Sequence, residues 1–201
     1  ILGKQMISIA ITGGFATGKT TVLEQFKLCG LETHSSDLMV KDIYNNDKSA
    51  LSKIKKILPH VIINKKINIK ELSKIAFNDK NILKKLEGLI HPKLASKREK
   101  IIRRGNINYK KTIVFEIPLL YEKSLRNEFD FIIATRCCKK LQKRRALKRI
   151  DMNEKKYHSI IKNQINNNIK YKKSNHIIDT GIGKNHSLIQ VKKLIKKLCV
   201  K

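Results

Sequence analysis

A chain of 201 residues with 45 Lys and Arg against 16 Asp and Glu, formally +29 at pH 7, has room for one domain with insertions, or two small ones, around a sizeable core. Its 41% hydrophobic content excludes a disordered polyelectrolyte despite 30% charged residues, and no apolar run approaches the ~20 residues of a membrane span. The leading ILGKQ lacks the apolar core of a signal peptide, and Met6 behind it is the expected start.

In chain order, MISIAIT (6–12) is a short β-branched apolar run ending in Gly-Gly, the pattern of a buried strand. From Lys19 the period turns helical, with Val22, Leu23, Phe26 and Leu28 on one side until Gly30. Residues 31–36 are a short strand candidate, and 38–105 is mostly helical in period. There Leu51, Ile54, Ile57 and Leu58 mark one stretch and Leu72, Ile75, Ala76, Leu83, Leu86 and Ile90 another, with Pro59 and Pro92 as punctuation. TIVFEIP (112–118) and DFIIAT (130–135) are apolar strands, 139–173 is basic and helical, HIID (176–179) is a last strand, and 187–199 a closing helix. Strands separated by helical segments imply an α/β fold with a parallel sheet covered on both faces. The long helical interval before 112–118 implies an inserted subdomain.

Gly13-Gly14-Phe15-Ala16-Thr17-Gly18-Lys19-Thr20 fits G-x-x-x-x-G-K-[ST] between a strand and a helix, the context that this nucleotide-binding pattern requires. Glycines let successive N–H groups turn toward phosphate oxygens, and the helix N-terminus adds partial positive charge. Lys19 then serves the β- and γ-phosphates and the Thr20 hydroxyl ligates Mg²⁺. The expected ATP-binding set is Gly14, Phe15, Ala16, Thr17, Gly18, Lys19, Thr20 and Thr21, joined by Arg145 and Arg149 downstream. The loop fixes the ligand class and leaves the reaction open.

Asp37, after the second strand, is either a carboxylate that accepts a substrate proton or the N-cap of helix 38–46. Glu116 ends the run TIVF, where a carboxylate holds Mg²⁺ through water, orients the substrate, or forms a buried salt bridge. KKLQKRRALKR (139–149) holds seven basic residues and no acid, and three of the chain's eight arginines. On a helix Gln142, Arg145 and Arg149 share one face, and arginine gives phosphate a planar fork that lysine cannot. This segment reads as a mobile lid over ATP, against a merely solvated basic face. His91, before Pro92, is a substrate ligand or a helix-end packing residue. Cys29, Cys137, Cys138 and Cys199 have no CxxC or metal spacing, so reduced thiols and no structural zinc are expected.

The charge has two readings. The chain holds 37 Lys, 31 Ile and 16 Asn, all read from A/T-rich codons, and a nucleic-acid surface gives no reason to enrich Ile. Codon bias is therefore favoured over a selected polyanion-binding face.

Taken together, these blocks resemble the dephospho-coenzyme A kinase family. TGGFATGKTTV is similar to its phosphate-loop signature, and Asp37 falls on the second acid of the family's Asp-Ala-Asp. FND (77–79), LEGLIHPKL (86–94), EIPLLYE (116–122), QKRRALKR (142–149), Gln164, HIID, Leu188 and Val191 follow at the family's spacing. The resemblance implies γ-phosphoryl transfer from ATP to the ribose 3′-hydroxyl of dephospho-CoA, the final step of coenzyme A biosynthesis. It makes Asp37, Lys19 and Arg145 catalytic, and Asp37, Lys70, His91, Glu116 and Leu119 the acceptor-binding set. It also implies a P-loop kinase core of 1–44, 106–138 and 174–201, a helical acceptor-binding subdomain of 45–105, and a basic helical lid of 139–173. Ser35, Lys70, Asn175 and Thr180 depart from the family's usual Asp, Arg, Asp and Asn. A cytoplasmic enzyme, monomeric or weakly oligomeric, using Mg²⁺ and ATP, with no specific nucleic-acid partner and no membrane association, is the expectation. The rivals are a nucleoside or nucleotide kinase of the same fold, and a nucleic-acid-binding P-loop module.

Overall fold

A computed structural model describes residues 6–107 and 112–199; the five residues ahead of Met6 lie outside them. The chain divides into two compact units, 1–35 with 105–201, and 36–104. Residues 36–44, assigned above to the core, fall in the second unit, while 139–173 falls in the first.

The first unit is built on β1 (Ile7–Thr12), α1 (Lys19–Leu28) and β2 (Glu32–Ser35). Later strands join them: β5 (Thr112–Glu116), β6 (Phe131–Arg136) and β7 (His176–Asp179), with α6 (Lys139–Leu147), α7 (Glu154–Lys162), α8 (Asn167–Lys173) and α9 (Lys184–Cys199). The five strands pair in the order β2-β5-β1-β6-β7, every pair parallel. Apolar runs with few polar interruptions suit strands covered on both faces, and every residue of β5 is buried. Ile9 and Ile11 of β1 meet Val22 and Phe26 of α1 and Val191 and Leu194 of α9 in one core cluster. β1 is central, so its C-terminal end delivers the glycine-rich turn to the middle of the sheet edge, where open α/β sheets bind ligands.

The second unit contains α2 (Ser36–Asn46), α3 (Lys48–Ile57), β3 (Ile62–Ile63), β4 (Lys66–Ile67), α4 (Ile69–Asn78) and most of α5 (Lys80–Ile107). Two features differ from the periodicity. A two-stranded hairpin interrupts the helices, turning on Asn64 and Lys65, both with positive φ (49° and 60°). That is the geometry of a tight hairpin turn, and Asn-Lys signals it far more weakly than Asn-Gly. Pro92 does not end a helix: α5 runs through it for 28 residues. One amide hydrogen is lost there, but Leu86, Ile90 and Leu94 stay buried along the same face on both sides, and that packing outweighs the missing bond. Pro59 does act as punctuation, opening a short 3₁₀ turn after α3.

Asparagine and aspartate begin several helices. Asp47, Asn68, Asn153 and Asn166 each accept a backbone N–H as the N-cap of α3, α4, α7 and α8. Among the described residues no helix is long and apolar enough to cross a membrane.

Candidate active site

The glycine-rich turn leaves β1 with Gly13 at φ 145°, passes Ala16 at φ 58°, and enters α1 through Gly18 at φ 92°. A Cβ on Gly13 would lie 2.5 Å from the Thr135 hydroxyl, so glycine is needed there for space as well as backbone. The Thr17 hydroxyl donates to Gly14 O (2.8 Å) and lies 2.7 Å from Thr135 Oγ1. This fixes the loop from beneath, off the end of β6. Lys19 is buried, and its ammonium donates to Gly13 O at 3.2 Å and Gly14 O at 2.8 Å. The charge is thereby held over the loop, at the mouth of the helix.

Thr20 Oγ1 donates to Glu116 Oε1 at 3.0 Å. Glu116 ends β5 and is buried, so the carboxylate and hydroxyl form an adjacent pair of hard oxygen donors where α1 begins. Such a pair suits Mg²⁺, which takes one or two protein oxygens and completes its shell with water and phosphate. Among the described residues there is no larger His, Cys, Asp or Glu cluster that holds a metal.

The basic segment lies over the loop in a form that periodicity only partly foresaw. α6 ends at Leu147, so Arg149 sits in the turn beyond it; there its guanidinium lies 4.6 Å above the Phe15 ring. Gln142 Nε2 donates to Phe15 O at 2.7 Å, and Phe15 N–H donates to Gln164 Oε1 at 2.9 Å. Both backbone groups of Phe15 are thus engaged by glutamines from different parts of the 139–173 segment. A Cβ on Gly14 would lie 2.5 Å from Asn167 Oδ1, so α8 also rests on the loop. Arg145 points to the end of β7, its Nη1 donating to Thr180 Oγ1 (3.0 Å) and its Nη2 to Thr180 O (2.7 Å). Burial pushes the neighbouring Cys137 thiol up, and the Arg145 guanidinium offsets this only in part. Cys29, Cys137 and Cys138 are free thiols.

A buried ion pair ties α8 to the segment after β5. Lys170 of α8 is fully buried, with its Nζ 2.7 Å from Glu122 Oε1, which also accepts Ile165 N–H at 2.9 Å.

In the second unit, Asp37 and His91 line one cavity of about 490 Å³ with Val40, Leu72, Leu86 and Ile90. α2 begins at Ser36, so Asp37 occupies the first turn and not the cap position. His91 is exposed within α5 and is not a helix-end residue. Lys70 is exposed in the first turn of α4 and is not among the residues around this cavity. Leu119 follows β5 in the first unit with 36% exposure. Sequence reading placed Gln142 on the lid face and noted Gln164 and Thr180, but gave none of them a role. Asn167, Thr135 and Lys170 had no local signal at all, because their contacts come from distant segments.

Residues 7–185 match the family model for dephospho-CoA kinase. A dephospho-CoA kinase from Bartonella quintana is 37% identical over 190 residues, covering 94% of this chain and 97% of the relative. The solved dephospho-CoA kinase from Campylobacter jejuni superposes with a TM-score of 0.72 at 27% identity, covering 95% of this chain and 96% of that one. A structure from Thermus thermophilus reaches a TM-score of 0.82 at 21% identity, covering 96% and 98%, and shows the same fold.

Proposed function

The chain belongs to the dephospho-CoA kinase family, which makes it an ATP-dependent phosphotransferase of the final step of coenzyme A biosynthesis, and on that premise we propose how its own residues divide the work. The observation that carries the proposal is the phosphate loop with Lys19 over it and the Thr20–Glu116 oxygen pair at its helix.

The ribose 3′-oxygen of dephospho-CoA attacks the γ-phosphorus in line. The bond to the β,γ-bridging oxygen breaks, ADP leaves, and the hydroxyl proton passes to the Asp37 carboxylate. Such a transfer depends on positioning and on charge stabilisation more than on covalent help. Lys19 and Arg145 stabilise charge on the moving phosphoryl and on ADP. The loop N–H groups hold the phosphates, and Phe15 takes part through its backbone bonds to the lid, which keep the loop in shape. Thr20, with Glu116 beside it, would hold Mg²⁺, whose chemistry there is to neutralise the β- and γ-phosphate oxygens. The cavity beside Asp37 and His91 takes the acceptor, its apolar wall suiting an uncharged arm. The lid of 139–173 keeps water, a competing acceptor, away from the γ-phosphate. Cytoplasmic residence, a monomer or weak oligomer, and no specific nucleic-acid partner complete the reading. The cysteine spacing, with no CxxC, favours a reducing compartment, and the Lys, Ile and Asn enrichment favours codon bias over a selected nucleic-acid surface.

The test is ADP release with Mg·ATP and dephospho-CoA, compared with ATP alone and with adenosine or AMP as acceptor. Turnover that needs dephospho-CoA and yields coenzyme A by mass is expected; turnover only with another acceptor overturns the assignment. Asp37→Asn should then lower kcat by about 10²–10⁴-fold while ATP binding stays close to wild type. Equal turnover in that variant removes Asp37 from its role.

A further inference from the structure

Thr180 follows β7, is 4% exposed, and meets three separate parts of the first unit. Its hydroxyl donates to Thr17 O at 2.8 Å, inside the phosphate loop, and also lies 3.1 Å from Arg136 O at the end of β6. The same oxygen accepts Arg145 Nη1, and the Thr180 carbonyl accepts Nη2. Its backbone N–H donates to Arg136 O at 2.8 Å. On the remaining side its Cβ, Oγ1 and Cγ2 lie 3.0–3.1 Å from where Gly18 would carry a Cβ. The buried Thr180 side chain therefore touches Gly18 and Thr17 of the loop and takes Arg145 Nη1, while the Thr180 backbone carbonyl takes Nη2.

The charge of a guanidinium is useful in phosphoryl transfer only where it meets the oxygens that gain charge, and an error near 1 Å costs on the order of 10²-fold in rate. An arginine has five N–H groups in a rigid fork, so fixing two of them fixes the plane and direction of the rest. We propose that Thr180 is a positioning residue, registering Arg145 against the phosphate loop so that its remaining donors face the transferring phosphoryl group. A hydroxyl suits this place because it accepts from the arginine while donating to the loop carbonyl, which neither an apolar side chain nor a donor-only group does. The loop carbonyl of Thr17 and the Arg145 guanidinium are thus joined through one oxygen.

This inference rests on the reading of Arg145 as a phosphate-facing group, and the experiment separates the two. Steady-state kinetics with varied ATP are measured for Thr180→Val, Thr180→Ser, Arg145→Met and the double variant Thr180→Val/Arg145→Met. Thr180→Val should lower kcat about 30-fold with KM for ATP moving less than threefold, and Thr180→Ser, which keeps the oxygen, should restore most of kcat. Thr180→Ala, free of the extra methyl beside Gly18, carries the same expectation should the valine variant fold poorly. In the Arg145→Met background Thr180→Val should have almost no further effect, because residues acting as one unit are not additive. Wild-type kcat in both Thr180→Val and Thr180→Ala overturns the role of Thr180 and leaves Arg145 untouched. An equal fall with and without Arg145 assigns Thr180 to loop stability and overturns the positioning role. Undiminished activity in Arg145→Met defeats the reading of Arg145 itself, and the inference with it.

Discussion

Replacing Lys170 with methionine tests how α8 is fastened to the segment after β5. Lys170 is fully buried and Glu122 nearly so, and their 2.7 Å contact joins α8 to the segment after β5. Glu122 Oε1 is shared with the Ile165 N–H, while Oε2 is buried without a hydrogen-bond partner. Lys170→Met therefore leaves a carboxylate that is poorly solvated and lacks its counter-charge. Breaking a buried pair from one side costs about 3–5 kcal/mol, a large part of the roughly 5–15 kcal/mol that holds a domain together. With a urea slope near 2 kcal/mol/M, the unfolding midpoint should fall by about 2 M. Lys170→Met/Glu122→Gln should recover most of the loss, because glutamine still accepts the Ile165 N–H and carries no charge. Urea titrations followed by circular dichroism measure both variants. A loss below about 1 kcal/mol in the single variant, or a double variant no better than the single, refutes the argument from uncompensated charge.

Further expectations follow from the site. Gly14→Ala places a methyl 2.5 Å from Asn167 Oδ1; overpacking of about 1–3 kcal/mol should raise KM for ATP about tenfold, and adding Asn167→Ala should reverse it. Glu116→Gln weakens the oxygen pair at Thr20, so the Mg²⁺ concentration for half-maximal activity should rise about 10-fold, which a Mg²⁺ titration at saturating ATP measures; an unchanged midpoint removes Glu116 from the metal site. Burial, helped by Lys197, holds the His176 imidazole below its ordinary range in the folded protein. The unfolded chain then takes up the proton first, so His176 contributes stability above the unfolded value near 6.5 that is lost as pH falls toward the folded value. His176→Gln should flatten stability between about pH 7 and 5 in urea titrations; an identical pH slope contradicts this.

What the sequence made legible follows from how local each signal was. The phosphate loop announces itself because its glycines, Lys19 and Thr20 lie within eight consecutive positions, and the fold class followed from strands whose burial on both faces leaves apolar runs such as TIVFE. The basic segment drew attention through arginine standing out in a lysine-rich chain, although α6 ends before Arg149 and the turn, not the helix, brings it to Phe15. Pro92 misled because a long apolar face overrode a local breaker, and Asn64-Lys65 because no glycine marked the turn. The contacts of Thr180, Asn167 and Lys170 were opaque because their partners at Thr17, Gly14 and Glu122 are far away in the chain. Thr180 stood out only as a departure from the family's usual Asn, and an asparagine and a lysine in this composition attract no notice.

The sheet order has a consequence for synthesis. The strand that carries the phosphate loop is made first and becomes central, yet its neighbours β5 and β6 and the supports Thr135, Gln164 and Thr180 come much later. At about 5–20 residues per second, roughly 10–30 s separate the emergence of Thr20 from that of Thr180. For that interval the ribosome-bound chain exposes a β-branched strand without its partners and a nucleotide loop without its braces. A ligand that needs the braced loop therefore stabilises the chain only once Thr180 has been made.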